Sequence, residues 1–412
     1  MFVSADNPGR ALRLGDRNVK LASDAADEES GPGLGWPARE PALSSPVDVI
    51  LNGKFFVHEM TGVHRVGTEL VRHLLALVAK DDRASRAMTP QVWVSAKGAR
   101  RAREQGIPAR VIRPLDGLPW GQLTLPALSR GKMIVSLCNV GPIAYSNAIT
   151  MIQDAQVHDA PSSYDPLFRA WYRFHQPIAG RKHRRILTIS EYSRNRLAKC
   201  GIVPSDRCTV IPNGVDHVLR EPPDPTIIMR LGVKPNGFVV ALANVQPHKN
   251  LSLLCKAFSD PSLAHLKLVL FGHDDLAAFI KAGIAVPSNV VFAGRLSDAE
   301  LWGLYGEALC LACPSHTEGF GLPPLEAMMT FCPVIASDTG ALPETCGPSA
   351  AYASPHDPAQ WVQRILELDG DLELRKRMRN AGKAWASRYR WADSAQRLLD
   401  VILEETTRSQ HK

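Results

Sequence analysis

The sequence predicts an α/β protein with two doubly wound parallel sheets, each in a domain of its own. Three observations support this prediction. The chain has 412 residues, which is more than one hydrophobic core usually supports. In both halves, short apolar runs alternate with segments of helical periodicity, as in sheets whose parallel strands are joined by helices. The segment Glu221–Pro225 interrupts this alternation with three prolines, which can continue neither a helix nor a central strand.

The first part of the chain divides into an extension and a first domain. Residues 1–45 are rich in Gly, Pro, Ser and Asp and lack apolar periodicity, which predicts a poorly ordered extension. Residues 46–218 are predicted to form the first domain, with a helix whose apolar face carries Leu70, Leu74 and Val78. The predicted strands of this domain are Val47–Leu51, Gln91–Ser95, Met133–Leu137, Ile149–Ile152 and Ile186–Ile189.

The second domain is predicted over residues 226–390. Residues 391–412 are expected to form a closing helix and a tail, because apolar residues from Ala395 to Leu403 fall on one helical face. Two domains of this kind place a cleft between them, at the carboxyl ends of their strands. The predicted strands of the second domain are Phe238–Leu242, Leu266–Phe271, Val290–Phe292, Ala308–Ala312 and Val334–Ala336.

The composition excludes several classes of protein. With 45% hydrophobic and 22% charged residues, the chain is not expected to be largely disordered. The sequence contains no run of 18 apolar residues, so no membrane-spanning helix is predicted. The first residues lack the pattern of a secretory signal. The eight cysteines have no regular spacing, and Cys310 and Cys313 are interpreted as buried structural residues because zinc needs two further ligands. A cytoplasmic protein is expected.

The charge is unevenly divided along the chain. Residues 46–215 contain 24 Lys and Arg against 12 Asp and Glu, a net charge of +12. Residues 1–45 contain 5 against 7, and residues 216–412 contain 19 against 22, so these parts carry −2 and −3. A basic domain suggests a phosphorylated substrate, a nucleic acid or an anionic membrane surface. The alternative is that the excess charge only keeps the surface soluble.

The most informative motif is PSHTEGFGLPPLEAM, over residues 314–328. It follows a predicted strand and leads into a predicted helix with prolines in its first turn, where a missing N–H is harmless. Gly319 and Gly321 are expected to let the backbone lie close to a ligand and adopt positive φ. The free N–H groups and the dipole at the helix start suit a diphosphate. Glu318 and Glu326 are eight residues apart and are expected to face one sugar-containing ligand.

This motif resembles the donor-site signature of glycosyltransferase family 4, a retaining family with the GT-B fold of two Rossmann-like domains. The resemblance covers roughly residues 47–405. Within the family, the sequence is similar to bacterial mannosyltransferases of exopolysaccharide and lipopolysaccharide assembly. Further segments that resemble the family are Thr61–Arg65, Thr188–Ser193, Val210–Asp216, Phe292–Leu301, Pro333–Asp338 and Ala341–Glu344.

The resemblance implies a role for each matching donor-site residue. Glu318 would lie by the donor sugar as a catalytic residue, and Glu326 would bind the ribose. Lys249 would be catalytic by neutralising the diphosphate, and His248 stands where many members have arginine. The remaining residues that the resemblance assigns to donor binding are Gly319, Phe320, Gly321, Leu322 and, beside the nucleobase, Arg295.

The first domain departs from the family pattern at one position. Gln153 stands where the family has a histidine that points at the reacting sugar, and His158 comes five residues later. Glutamine can position a hydroxyl group but cannot carry a proton at neutral pH. Gly62 and Arg65 match the turn after the first strand, which implies a loop that contacts acceptor and donor.

The resemblance implies a retaining glycosyltransferase that moves a hexose, with mannose favoured and GDP-mannose as donor. The acceptor would be a saccharide or a polyprenyl-diphosphate-linked sugar, reached by a basic domain at the inner face of the cytoplasmic membrane. No cofactor or metal is expected, because no Asp-x-Asp pair follows a strand at a nucleotide-binding position. The alternatives are a sugar-phosphate phosphorylase or epimerase of the same fold, and a non-catalytic nucleotide-sugar-binding protein. Nucleic acid is not an expected partner, because no reader motif occurs.

Overall fold

A computed structural model describes residues 46–410. The predicted extension over residues 1–45 and the last two residues lie outside this range. The first sheet has seven strands in the order β3-β2-β1-β4-β5-β6-β7, and every neighbouring pair is parallel. Its strands are β1 (Val47–Asn52), β2 (Met88–Val94), β3 (Ala109–Val111), β4 (Met133–Ser136), β5 (Ala148–Met151), β6 (Arg185–Thr188) and β7 (Cys208–Val210).

The second sheet has six strands in the order β10-β9-β8-β11-β12-β13, again with parallel neighbours throughout. Its central strands are apolar and largely buried, as expected for a sheet covered by helices on both faces. Its strands are β8 (Phe238–Ala243), β9 (Lys267–Gly272), β10 (Val290–Gly294), β11 (Cys310–Cys313), β12 (Val334–Ser337) and β13 (Ala351–Ala353).

Helices connect the strands of both sheets. Those of the first half are α1 (Gly62–Val78), α2 (Asp82–Ala87), α3 (Ala99–Glu104), α4 (Gly117–Pro119), α5 (Leu125–Leu128), α6 (Gln156–Asp159), α7 (Pro166–Lys182) and α8 (Glu191–Lys199). Those of the second half are α9 (Thr226–Leu231), α10 (Leu251–Phe258), α11 (Leu276–Lys281), α12 (Asp298–Glu307), α13 (Leu322–Met329), α14 (Leu342–Cys346), α15 (Pro358–Gly370), α16 (Leu372–Ala386) and α17 (Trp391–Gln410).

The predicted strands are present, with their ends shifted by a few residues, but three strands were not predicted. These are β3, β7 and β13, each three residues long and each at the edge of its sheet. Edge strands of this length bury too few side chains to leave an apolar run in the sequence. Strand β2 also begins earlier than predicted and includes Pro90, which is tolerated because β3 pairs only with Val92–Val94.

The closing helix α17 returns to the first domain. It packs against α1, and Arg185 at the start of β6 contacts Glu405 at 2.9 Å. Leu398, Leu399 and Ile402 are fully buried on its inner face, as their spacing predicted. The described residues 46–410 therefore begin and end on the same domain. Within residues 46–410, none of the helices is both long and apolar enough to cross a bilayer.

Candidate active site

Each sheet has one topological switch point, where connections leave neighbouring strands in opposite directions. These points lie between β1 and β4 and between β8 and β11. Ligands of open parallel sheets bind beyond the carboxyl ends of the strands at such points. Strand β8 leads into the segment with His248 and Lys249, and β11 leads into the segment with Glu318. The second switch point therefore carries the predicted donor-site residues.

Lys249 and Glu318 form a charged pair at this switch point. The Lys249 Nζ atom lies 2.7 Å from the Glu318 Oε1 atom, which also accepts a hydrogen bond of 2.7 Å from the Ser315 hydroxyl. Burial opposes ionisation of the carboxyl, but the Lys249 charge and these bonds outweigh it and hold the pKa of Glu318 below its usual value. Burial likewise opposes the charge of Lys249, and Glu318 raises the pKa of the ammonium group. Both groups are therefore ionised.

Helix α13 begins beside this pair. Pro323 and Pro324 have no N–H, so within residues 46–410 the free backbone donors at the helix start are the N–H groups of Gly321 and Leu322. Its first residue is Leu322, prolines occupy the first turn, and neither a side-chain cap nor an acidic residue covers the start. Gly321 has φ +90°, and a Cβ there would lie 2.7 Å from a Leu342 methyl group. Both the backbone conformation and the lack of space therefore require glycine. Such a helix start is suited to bind an anionic group.

Gly319 differs from the prediction, because it has no positive φ. Glycine is needed there for close approach, since a Cβ would lie 2.6 Å from the Asp154 Cβ atom of the first domain. The Gly319 carbonyl oxygen also accepts hydrogen bonds from Ser190 and Ser193, at 2.7 and 3.1 Å. Gly319 thus contacts three residues of the first domain, Asp154, Ser190 and Ser193. Phe320 is buried beside it, edge-on to the ring of Tyr389.

Glu326 lies in the second turn of α13, as predicted, and is held by a histidine. The Trp391 indole N–H donates to the His217 Nδ1 atom at 3.0 Å, so the ring proton of a neutral His217 is on Nε2. That Nε2 atom donates to the Glu326 Oε1 atom at 3.1 Å. The Oε2 atom of Glu326 has no hydrogen-bond partner within residues 46–410. The linker and the start of α17 therefore orient Glu326 and leave one oxygen free.

His248 is buried and uncharged. Burial, reinforced by the neighbouring Lys249 charge, lowers the pKa of the imidazole to about 4. Its ring stacks on Tyr164 of the first domain, with centroids 6.1 Å apart. His248 therefore cannot supply the positive charge that an arginine would bring to a diphosphate at this position.

The start of α1 meets the start of α13 across the cleft. A Cβ on Gly62 would lie 3.7 Å from a Leu322 methyl group, and neither helix start has a side-chain cap or an acidic residue. Arg65, one turn further on, forms two hydrogen bonds of 2.8 and 2.7 Å with the Asp298 carboxylate of α12. Burial opposes the charge of Arg65, and the bond to Asp298 raises the pKa of its guanidinium.

A cavity of about 720 Å³ lies between the two domains. Gly62, Arg65 and Arg295 line it, so the structure brings these three predicted residues to one space. Arg295 is more than half exposed and pairs with Glu59 from the opposite domain. A cavity of this volume is in the range of ligand sites that hold nucleotides and sugars.

Hydrogen bonds from its side-chain amide fix the position of Gln153. It is buried at the end of β5, and its Nε2 atom donates to the carbonyl oxygens of Val63 and Leu137, both at 3.1 Å. Both amide hydrogens therefore connect the first turn of α1 to the end of β4. His158 lies on α6, where its Nε2 atom is 3.0 Å from the Gln176 amide oxygen.

Three residues of the site were not predicted from the sequence. Asp154 is buried against Gly319 within electrostatic reach of Lys249, and burial raises the pKa of its carboxyl to about 6. Asp154 follows a predicted strand closely, and this position could have identified it from the sequence as a candidate site residue. Asp298 lies within the motif that includes Arg295. Its ion pair with Arg65 could not be read from that motif, because the two residues are 233 positions apart. His217 gives no signal, because its partners Glu326 and Trp391 are both distant in the chain.

Two family models match this chain. Residues 230–385 match the family described as Glycosyl transferases group 1, and residues 150–219 match Glycosyltransferase Family 4. The first match contains Lys249, Glu318 and Glu326, and the second contains Gln153 and Asp154. The two matches thus include carboxyl-end segments of strands in both domains.

Curated relatives include mannosyltransferases. The chain is 28% identical over 244 residues to the O-antigen chain mannosyltransferase RfbU of Salmonella typhimurium, a match that covers 58% of this chain and 65% of that protein. It is 27% identical over 274 residues to the O-antigen chain mannosyltransferase B of Escherichia coli, covering 63% and 71%. The chain thus spans about two thirds of the length of these two relatives.

A solved structure shows the same arrangement of domains. HepE of Anabaena, crystallised in complex with UDP and glucose, superimposes with a TM-score of 0.63 at 17% sequence identity and covers 86% of this chain and 99% of its own. The match shows a shared fold and confirms the predicted architecture. With both domain models matched and the helical C-terminus in place, the chain carries the domains described as Glycosyl transferases group 1 and Glycosyltransferase Family 4, and it has the GT-B fold.

Proposed function

We propose that this chain is a retaining mannosyltransferase. In this proposal it moves a mannosyl group from GDP-mannose to a saccharide or lipid-linked acceptor during cell-surface polysaccharide synthesis. The observation that carries the proposal is the buried Lys249–Glu318 pair beside the uncapped start of α13, at the second switch point. The choice of mannose is supported by the relatives, of which two are O-antigen chain mannosyltransferases.

The site has the groups needed to stabilise a departing diphosphate. When the bond between the anomeric carbon and the diphosphate breaks, negative charge develops on the phosphate oxygens. Lys249 and the start of α13, with its helix dipole and the N–H groups of Gly321 and Leu322, are fixed in place before the reaction, so they stabilise this charge without reorganisation. The free Oε2 atom of Glu326 is suited to accept hydrogen bonds from the ribose hydroxyls.

Retention is proposed to occur by internal return. Glu318 already shares its Oε1 atom with Lys249 and Ser315, which weakens it as a nucleophile toward the anomeric carbon. In the proposed step the acceptor oxygen attacks the anomeric carbon from the face that the diphosphate leaves. The acceptor proton passes to a phosphate oxygen of the leaving group, so no protein base is required.

Calorimetric titration with GDP, UDP and ADP tests the donor. We expect GDP to bind most tightly. A clear preference for UDP would contradict GDP-mannose as donor while leaving the transferase proposal intact. Failure of all three nucleotides to bind would contradict the proposed function.

The reaction is proposed to need no metal ion. Lys249 and two helix starts supply positive potential where other enzymes use Mg²⁺. Transfer is therefore expected to continue in excess EDTA, measured as release of nucleotide diphosphate with an acceptor present. Loss of activity that Mn²⁺ or Mg²⁺ restores would contradict this expectation.

The first domain is proposed to bind the inner face of the cytoplasmic membrane, where a lipid-linked acceptor would lie. Residues 46–215 carry a net charge of +12, from 24 basic against 12 acidic residues. Helix α7 adds an exposed apolar surface, with Leu167 82% and Phe174 57% exposed. Apolar side chains beside lysine and arginine are the usual elements of binding to anionic lipid.

Flotation with liposomes checks this proposal. We expect binding to anionic vesicles at low salt and release at high salt, because screening weakens surface electrostatics. Leu167→Ser combined with Phe174→Ser should reduce binding. The matched control is Ile280→Ser, which removes a side chain that is 65% exposed on α11 of the other domain. If the protein binds neither anionic nor neutral vesicles at low salt, the proposal is wrong, and the net positive charge of residues 46–215 only keeps the surface soluble.

A further inference from the structure

A second, smaller cavity lies at the switch point of the first sheet. It has a volume of about 100 Å³ and is lined by residues at and after the carboxyl ends of β1 and β4, among them Lys54 and Ser136. It thus occupies the position in the first sheet that the Lys249–Glu318 pair occupies in the second. Ligands of parallel sheets bind at such positions.

Lys54 brings an unpaired positive charge to this cavity. Its ammonium group has no hydrogen bond and no ion pair within residues 46–410. Burial lowers the pKa of Lys54, which reflects the cost of holding a cation out of water without a partner. The cavity lining contains no carboxylate, and the nearby Glu59 pairs instead with Arg295.

Two further donors line the cavity without acceptors. The Asn52 amide donates to the Ser136 Oγ atom at 2.9 Å, which leaves the hydroxyl proton of Ser136 available. The Tyr172 hydroxyl likewise has no hydrogen-bond partner in the part of the chain that the structure describes. Burial raises the pKa of Tyr172, so its proton is retained at neutral pH. An ammonium group and two hydroxyl groups therefore line one cavity whose lining contains no carboxylate.

The cavity adjoins the interdomain cleft. Val63 and His64 line the cavity, whereas Gly62 and Arg65 of the same turn line the cleft. The Gln153 amide binds the carbonyl oxygens of Val63 and Leu137, and both of these residues line the cavity. A sugar bound against the first turn of α1 would therefore have a charged substituent within reach of Lys54.

We infer that this cavity binds an anionic substituent of the acceptor, a carboxylate or a phosphate, through Lys54, Ser136 and Tyr172. The inference rests on the proposed function, because mannose itself is neutral and the anion must then come from the acceptor. Lysine is well suited to a compact anion as a point charge. The volume suits one such group and not a nucleotide. The acceptor is thus an acidic saccharide or a sugar phosphate, and not a neutral sugar.

Titration of two small anions tests this inference. The protein is first saturated with the nucleotide diphosphate that binds best, so that the donor site is occupied, and is then titrated with inorganic phosphate or glucuronate. We expect at least one to bind, and Lys54→Met to weaken that binding by about tenfold or more, since a hydrogen bond to a charged group is lost. Tyr172→Phe should weaken it less. The matched control is Lys97→Met, an exposed lysine of the same domain.

Stability and nucleotide affinity distinguish the possible outcomes. Lys54→Met should unfold at a temperature no lower than the wild type, because it removes a buried unpaired charge, and should keep its nucleotide affinity. Tighter phosphate binding identifies a phosphorylated acceptor, and tighter glucuronate binding identifies a uronic acid. If neither anion binds, or if Lys54→Met binds it as well as Lys97→Met does, the inference is wrong. The proposed function fails separately, if no nucleotide diphosphate binds.

Discussion

Replacing Lys249 by methionine is expected to reduce turnover by about 10²–10³-fold, the loss that follows removal of one preorganised donor to a developing negative charge. The effect should be large because Lys249 is buried, pairs with Glu318 at 2.7 Å and stands at the end of a strand where the diphosphate is proposed to lie. Without Lys249, burial would also raise the pKa of Glu318 and favour its neutral form. The measurement is the rate of transfer at saturating donor.

The control for this variant is Lys256→Met, which removes an exposed lysine from the adjacent helix α10. It should have no effect on turnover. Turnover of Lys249→Met within a few-fold of the wild type would contradict the role given to Lys249. A variant that unfolds at a much lower temperature would be replaced by Lys249→Arg, which keeps the charge and should retain more activity than the methionine variant.

Replacing Glu326 by alanine is expected to weaken binding of the bare nucleotide diphosphate by ~1–3 kcal/mol, as for a lost hydrogen bond to a charged group. His217 holds one oxygen of Glu326 and leaves the other free, so the carboxylate is already oriented for the ribose. Glu318→Ala should leave nucleotide affinity nearly unchanged and reduce turnover, because Glu318 is proposed to act at the sugar. Calorimetric titration of both variants with GDP measures the difference.

Glu373→Gln is the control for this comparison, because Glu373 is exposed on α16. It should bind GDP as the wild type does. If Glu318→Ala and Glu326→Ala weaken GDP binding equally, the assignment of Glu326 to the ribose and of Glu318 to the transferred sugar is wrong.

The sequence predicts well whatever depends on neighbouring residues. The positive φ of Gly321, the prolines in the first turn of α13 and the place of Glu326 one turn later all follow from a local pattern. The meeting of Lys249 with Glu318 could also be anticipated, because both follow strands that a doubly wound sheet places side by side. The three edge strands could not be predicted, since three residues carry too little pattern.

Contacts between the domains are the part that the sequence does not reveal. Gly319 was expected to make room for a ligand, but it makes room for Asp154, and this contact depends on how the domains meet. Glu344 is another example, because it accepts hydrogen bonds from the first N–H groups of α8 in the other domain. The hydrogen bonds of His217 to Glu326 and Trp391 join three separate parts of the chain. No local pattern encodes such pairs.

The configuration of the new glycosidic bond tests the central claim most directly. The protein would be incubated with GDP-mannose and lipid-linked saccharides extracted from bacterial membranes, and the purified product examined by NMR at its new anomeric centre. Because the mannose of the donor is α-linked, retention predicts an α-linked mannosyl product, formed by the wild type and greatly reduced with Lys249→Met. A β-linked product would contradict the retaining mechanism, and the same yield from wild type and Lys249→Met would contradict the site.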